Sequence, residues 1–485
     1  MNLQKMHGQY KQMGAPAKAA IWFVVCNVIQ KSMYFILIPI FTRMMTTFEY
    51  GQYSIFTSWE LIFAVFAGLN LAGNSYNVGM IKHENDQERY TSAIQGLWWA
   101  VTVTVGFVVL ITHTFWEGVT KLSFSLLLAV FIHILATGSI DLWTAKQRYH
   151  YKYKGVLLLT SCLVVLTIIV SIFMISHSES KDSAAVWSKV GVLLFLGIIT
   201  AFINIYHGKT IFHKEYWIQG LKFNIPLIAY YLSLIVLSQS DRIMINNYCG
   251  VDKAGIYSVA NSLAHILVLL NTAINGSFVP WEYRKIKTKD YNAIPGISNI
   301  LLLLIGVLNL LLVGVAPEII HIMTTPDYFS AIWVVPPIAI SSFFAFAYQL
   351  FVNIEFYHEK KFHVMVASIG VSVLNIVLNA IFIPKYGFIA AGYTTVTSYV
   401  TFTFVHYIFM KHVCKQVGER TDIYNIKQLL TICIAMIAAM FVFIGLYAVS
   451  PLIRYIVIIS AIFLTAWFIK TNKKILFSVL KRDDK

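Results

Sequence analysis

The chain has 485 residues, of which 58% are hydrophobic and only 12% charged, about half the charged share of a soluble domain. A soluble fold could not hide that much apolar surface, which excludes a soluble enzyme, a disordered chain and a disulfide scaffold. The formal charge of +15 reads as a record of membrane orientation and not of a nucleic-acid partner.

Met1 to Pro16 is polar, and the apolar run after it is longer than the core of a signal peptide, so the first span is expected to stay in the mature protein. From there, runs of about membrane length recur near 17–41, 54–74, 93–112, 122–144, 155–175, 186–206, 224–246, 255–279, 297–316, 331–356, 363–383, 388–410, 428–448 and 451–470. No alternating strand pattern appears, which argues against a β-barrel. The fold class expected is therefore an all-α polytopic membrane protein of about 14 transmembrane helices. With the N-terminus in the cytoplasm, 28 Lys and Arg fall in cytoplasmic segments and six outside, and the alternation holds loop by loop. Both termini are then cytoplasmic. No loop is long enough to hold a soluble domain.

The ends of spans 1 and 7 resemble each other. Thr42-Arg43-Met44-Met45 is followed by Gly51-Gln52-Tyr53-Ser54, and Asp241-Arg242-Ile243-Met244 by Gly255-Ile256-Tyr257-Ser258. The second copy has the longer outside loop. Copies six spans apart keep one orientation, as in a parallel repeat about an axis along the membrane normal. The division expected is an N-terminal lobe of spans 1–6 (1–223), a C-terminal lobe of spans 7–12 (224–427), and two extra spans with a basic tail (428–485). The two six-helix lobes would be related by pseudo-twofold symmetry around a central cavity.

Charges inside spans are costly and mark candidate sites. Lys31 lies about 15 Å from either interface, beyond the reach of its own side chain. Burying it in lipid would cost at least about 2.5 kcal/mol. It is either a cavity-facing cation for an anionic substrate or half of a structural ion pair. Glu60, Asp241, Arg43 and Arg242 gather toward the outer side, as a charged mouth or as interfacial anchors. Glu60 and Asp241 are the candidates for coupling to an ion. Asp141 and Glu355, each followed by a basic loop, read as a cytoplasmic charge network or as interfacial ion pairs. Lys189 reads as snorkelling from the start of span 6. His133, His265 and His406 lie mid-span, as proton relays or simply as hydrogen-bonded core residues.

Pro39 and Pro336-Pro337 interrupt spans 1 and 10, as hinges or static bends. Trp98-Trp99 and Tyr230-Tyr231 could stack on sugar rings or anchor at the interface. Of the five cysteines, four sit in or beside apolar runs and Cys414 in a polar loop, so neither a disulfide nor a zinc site is expected. There is no P-loop, HExxH, GxSxG or acid-rich metal motif, so the expectation is no catalytic residue, no metal and no cofactor: a protein that is not an enzyme.

Three stretches carry a family resemblance: Ile36-Leu37-Ile38-Pro39-Ile40-Phe41-Thr42-Arg43 with Glu49-Tyr50-Gly51-Gln52-Tyr53-Ser54, Ile383-Pro384-Lys385-Tyr386-Gly387, and Asp241-Arg242 with Gly255-Ile256-Tyr257-Ser258. Together they resemble the Wzx-type polysaccharide flippases of the multidrug/oligosaccharidyl-lipid/polysaccharide exporter superfamily. The resemblance implies two six-helix bundles around a cationic cavity. It also implies movement of undecaprenyl-diphosphate-linked glycan, such as an O-antigen repeat unit, from the cytoplasmic to the periplasmic leaflet of the bacterial inner membrane. Lys31, Arg43 and Arg242 would then bind the substrate diphosphate. Membrane lipids would be partners, and a polysaccharide polymerase is an open further one. Three rival readings remain. A cation-coupled multidrug exporter would need unpaired mid-membrane carboxylates. A lipid II flippase shares the diphosphate head. A membrane O-antigen polymerase or ligase would need a long outside loop.

Overall fold

The structure, a computed structural model, describes residues 14–471. Lys5, Lys11 and the basic tail after Thr471 lie outside the described residues. All regular structure among those described is helical, and fourteen helices of more than 20 residues stand at the fourteen positions expected. Eleven of the described helices are long and apolar enough to cross a membrane. The other three expected spans are the second, the twelfth and the last. The chain divides into two compact units, Met1–Ile235 and Val236–Lys485.

The first unit holds α1 (Ala15–Met44), α2 (Thr47–Gly68), α3 (Asn74–Lys82), α4 (Gln87–Ile111), α5 (His113–Thr120), α6 (Phe124–Tyr149), α7 (Tyr153–Ser176), α8 (Lys181–Gly208) and α9 (Lys214–Asn224). The division between units falls inside α10 (Ile228–Cys249). α2 starts at a capping box: the Glu49 N–H donates to Thr46 Oγ1 at 3.2 Å, and the Thr46 N–H donates to the Glu49 carboxylate at 2.8 Å. α6 packs along α8 and α4, and α1 along α7. Trp98 is buried in that seam, its indole N–H donating to the Ile134 carbonyl at 3.0 Å. A Cβ on Gly138 would lie 2.2 Å from the Trp98 ring, so only glycine admits the indole there. Trp99 donates to Ser139 Oγ at 3.3 Å. The Trp98-Trp99 pair therefore ties α4 to α6, where the sequence suggested sugar stacking or an interfacial belt.

The second unit continues with α11 (Val251–Lys287), α12 (Ile294–Met323), α13 (Val335–Tyr357), α14 (Lys361–Tyr386), α15 (Ile389–Gln416), α16 (Ile426–Val449) and α17 (Pro451–Thr471). Its core gathers Phe278, Leu302, Phe343, Phe346, Leu350 and Ile354 from α11, α12 and α13, joined by Met410 of α15 and Met436 of α16. Pro336-Pro337 stand in the first turn of α13 and do not interrupt it; a missing N–H costs nothing there. α1 runs on past Pro39 to Met44. The extra residues of the second repeat copy are helix and not loop, because α10 continues to Cys249 and α11 starts at Val251. Cys414 is buried within α15, not in a polar loop. α16 and α17 pack on α12, and Arg454 of α17 bonds Glu318 of α12.

The lateral surface is apolar where lipid would lie. Phe107 and Ile111 of α4, Phe173 of α7, Phe202 of α8, and Ile434 and Phe441 of α16 are all exposed. A soluble monomer does not present so much apolar surface.

Candidate functional site

α1 is apolar along most of its length but carries Asn27, Gln30 and Lys31 at spacings of three and four, so they are neighbours along one flank. Arg148, near the end of α6, donates to Asn27 Oδ1 at 3.1 Å and lies over the Phe23 ring at 5.6 Å. Gln30, Asp141, Thr144 and Arg148 line a cavity of about 340 Å³ bounded by α1, α3, α6, α7 and the turn after α2. Asp141 thus opens into a cavity instead of pairing at an interface. Lys31 is exposed, and no carboxylate bridges to it among the described residues. Arg43, in the last turn of α1, is also exposed and reaches back to the Pro39 carbonyl at 3.5 Å.

Of the two acids of the expected outer mouth, Glu60 lies inside the first unit. Glu60 of α2 is only 6% exposed. One carboxylate oxygen is 3.2 Å from His133 Nδ1 of α6, and the other 3.7 Å from Lys189 Nζ of α8. Lys189 is 7% exposed, so it does not snorkel; it is the buried cation that Glu60 needs. His133 Nε2 has no hydrogen-bond partner among the described residues. Three helices thereby meet at one carboxylate that has an ammonium on one side and an imidazole on the other. Such a group can hold and pass a proton between carboxylate and imidazole.

Asp241 and Arg242 are both buried in the second unit, yet the Asp241 oxygens are held by neutral donors. Oδ2 accepts from the Tyr257 hydroxyl at 2.5 Å and from Thr395 Oγ1 at 2.7 Å, and Oδ1 accepts from Asn379 Nδ2 at 2.7 Å. Asn375 extends the network, accepting from Ser240 Oγ at 2.7 Å and from Asn379 Nδ2 at 3.1 Å. Arg242 donates to Gln239 Oε1 at 2.9 Å. The site therefore joins α10, α11, α14 and α15 around one carboxylate and several amide and hydroxyl oxygens. Asn375 and Asn379 were not singled out from the sequence, although their spacing of four in an apolar run puts both on one face.

Two further acids are buried in the second unit. Glu355 of α13 pairs with His406 Nδ1 of α15 at 2.7 Å, both wholly buried, in place of the basic loop that follows it. Glu282 of α11 accepts from Asn353 at 3.1 Å and from the Tyr424 hydroxyl. Among the described residues, no group of three or more His, Cys, Asp or Glu could hold a metal ion. Of the five expected site residues, Lys31, Arg43 and Glu60 fall in the first unit and Asp241 and Arg242 in the second. Within the first unit Glu60 is partnered by Lys189 and not by Lys31.

The model of the polysaccharide biosynthesis protein family matches residues 17–284. A protein named Lsg locus putative protein 1 of Haemophilus influenzae is 21% identical over 286 residues, 56% of this chain and 67% of that protein. An uncharacterized membrane protein of the same organism is 21% identical over 361 residues, 72% of this chain and 85% of its own length. Among solved structures, a lipid II flippase MurJ in an inward closed conformation matches with a TM-score of 0.68 and 14% identity, covering 95% of this chain and all of that one. An inward-facing multidrug resistance MATE transporter of the MOP superfamily matches with a TM-score of 0.64 and 10% identity, covering 79% and 96%. These likenesses establish the fold, and it is that of membrane transporters. The family match spans more than half of the chain and includes both ends of the repeat seen in the sequence, so this multi-pass membrane protein belongs to the polysaccharide biosynthesis protein family.

Proposed function

We propose that this protein is a flippase for a glycan carried on undecaprenyl diphosphate, moving it from the cytoplasmic to the periplasmic leaflet of a bacterial inner membrane by alternating access. The observation that carries the reading is Lys31: a cation exposed on an apolar helix, four residues after Asn27 and following Gln30, which lines a polar cavity. A diphosphate cannot cross hydrocarbon unaided, and a cation in a wet cavity is what it requires. Arg43 and Arg242 are proposed to assist at the outer side. Family membership and the transporter fold support the same conclusion.

In this reading residues 1–223 and 224–427 act as two lobes and 428–485 as an appended pair with a cytoplasmic tail. Asp241 and Glu60 are the acids through which an ion gradient would drive the cycle. Asp241 with its amide and hydroxyl oxygens offers hard ligands of the sort small cations take. No bond is made or broken, so no catalytic residue is required. The test is to delete the gene from a polysaccharide-producing strain. Lipid-linked repeat units are expected to accumulate on the cytoplasmic leaflet and to clear when the chain is restored; no accumulation would overturn the reading.

A further inference from the structure

The cavity beside α1 lies within the first unit and is walled by four carboxamides, Gln30, Asn70, Asn74 and Asn77, with Asp141 and Arg148. All six residues are exposed in a chain that is otherwise poor in polar groups. In a membrane protein, polar side chains lie open only where water or a hydrated ligand reaches them.

The turn after α2 builds this wall. Leu69 and Asn70 both adopt a left-handed φ of 49°, which ends α2 and reverses the chain, and the Gly73 N–H closes the turn on the Asn70 carbonyl at 3.0 Å. A Cβ on Gly73 would lie 2.9 Å from the Asn70 carboxamide. α3 then presents Asn74 and Asn77 three residues apart on one face.

One carboxylate and one guanidinium balance, so the wall has no surplus charge for a diphosphate. Carboxamides donate and accept together, as sugar hydroxyl and acetamido groups also do, and a carboxylate accepts from two hydroxyls at once. The cavity of about 310 Å³ in the second unit makes the contrast: Leu302, Phe344, Phe351 and Leu429 give it an apolar wall suited to hydrocarbon. Gln30, which lines the cavity, and Lys31, which does not, both neighbour Asn27 on α1, so a sugar attached to a diphosphate at Lys31 can reach the wall at Gln30.

We infer that this cavity is the sugar-recognition subsite of the flippase, holding the neutral sugar next to the diphosphate; the inference rests on the flippase reading above. The test uses the full chain in lipid nanodiscs and native mass spectrometry. Two probes compete at equal concentration: undecaprenyl diphosphate, and the lipid-linked repeat unit extracted from the producing strain. The natural chain is expected to prefer the glycosylated lipid by roughly tenfold, as a few ordinary hydrogen bonds would give. The Asn74→Ala/Asn77→Ala variant is expected to lose that preference while still binding undecaprenyl diphosphate, which also shows that it is folded. A preference that persists in the variant, or loss of both lipids together, overturns the subsite. If the natural chain binds neither lipid, the flippase reading itself fails.

Discussion

Lys189 Nζ lies 3.7 Å from the Glu60 carboxylate, and both side chains are buried with His133 at the meeting of α2, α6 and α8. A buried pair is worth little net, but removing one partner leaves a charge with nothing to offset it, at about 3–5 kcal/mol. Glu60→Ala is therefore expected to lower thermal stability in detergent sharply, and adding Lys189→Met should recover much of the loss. Additive losses in the double variant would show that the two side chains are not coupled.

Asp241 invites a different test, because its partners are neutral donors. Asp241→Asn keeps most of the cage but removes the charge, so abundance in the membrane should hold while transport falls. Tyr257→Phe removes one donor to a buried carboxylate and should cost about 1.5–3 kcal/mol in stability. Full export in Asp241→Asn would remove the residue as a coupling site.

Arg454 and Glu318 join α17 to α12, and their exposures differ: 4% for the Arg454 side chain and 33% for that of Glu318. After Arg454→Met the carboxylate can rehydrate, whereas after Glu318→Gln the guanidinium stays buried without its counter-ion. Glu318→Gln is thus expected to lower the unfolding temperature more than Arg454→Met. The reverse order would mean that stacking of Arg454 on Tyr447 and Tyr455 outweighs the ion pair.

Topology follows from the loop charges. Reporter fusions after Lys154 and Lys289 should read cytoplasmic, and fusions after Lys121, Lys181 and Asp327 periplasmic. The positions lie at or beside helix ends, where a fusion disturbs little packing. A periplasmic signal at Lys289 would overturn the orientation.

The helices were legible because hydropathy over about 20 residues is a property of each segment alone. Partners were not, because they come from distant segments. Nothing near Lys189 in sequence points to Glu60, and without that partner its place near a span end reads as snorkelling. Glu282 was not singled out from the sequence, because the Tyr424 that seals it into the core comes from the turn before α16. Asn375 and Asn379 carried a readable signal in their spacing, but only Asp241 on α10 gives it meaning. Lys31 needed no partner to be singled out, since its cost in lipid is its own.

Surface polysaccharide, normalised to membrane-embedded protein, in a strain carrying Lys31→Gln tests the central claim most directly. If Lys31 holds the substrate diphosphate, export is lost at normal abundance, and Lys31→Arg retains part of it because charge survives while geometry changes. Normal export at normal abundance in Lys31→Gln would contradict the account.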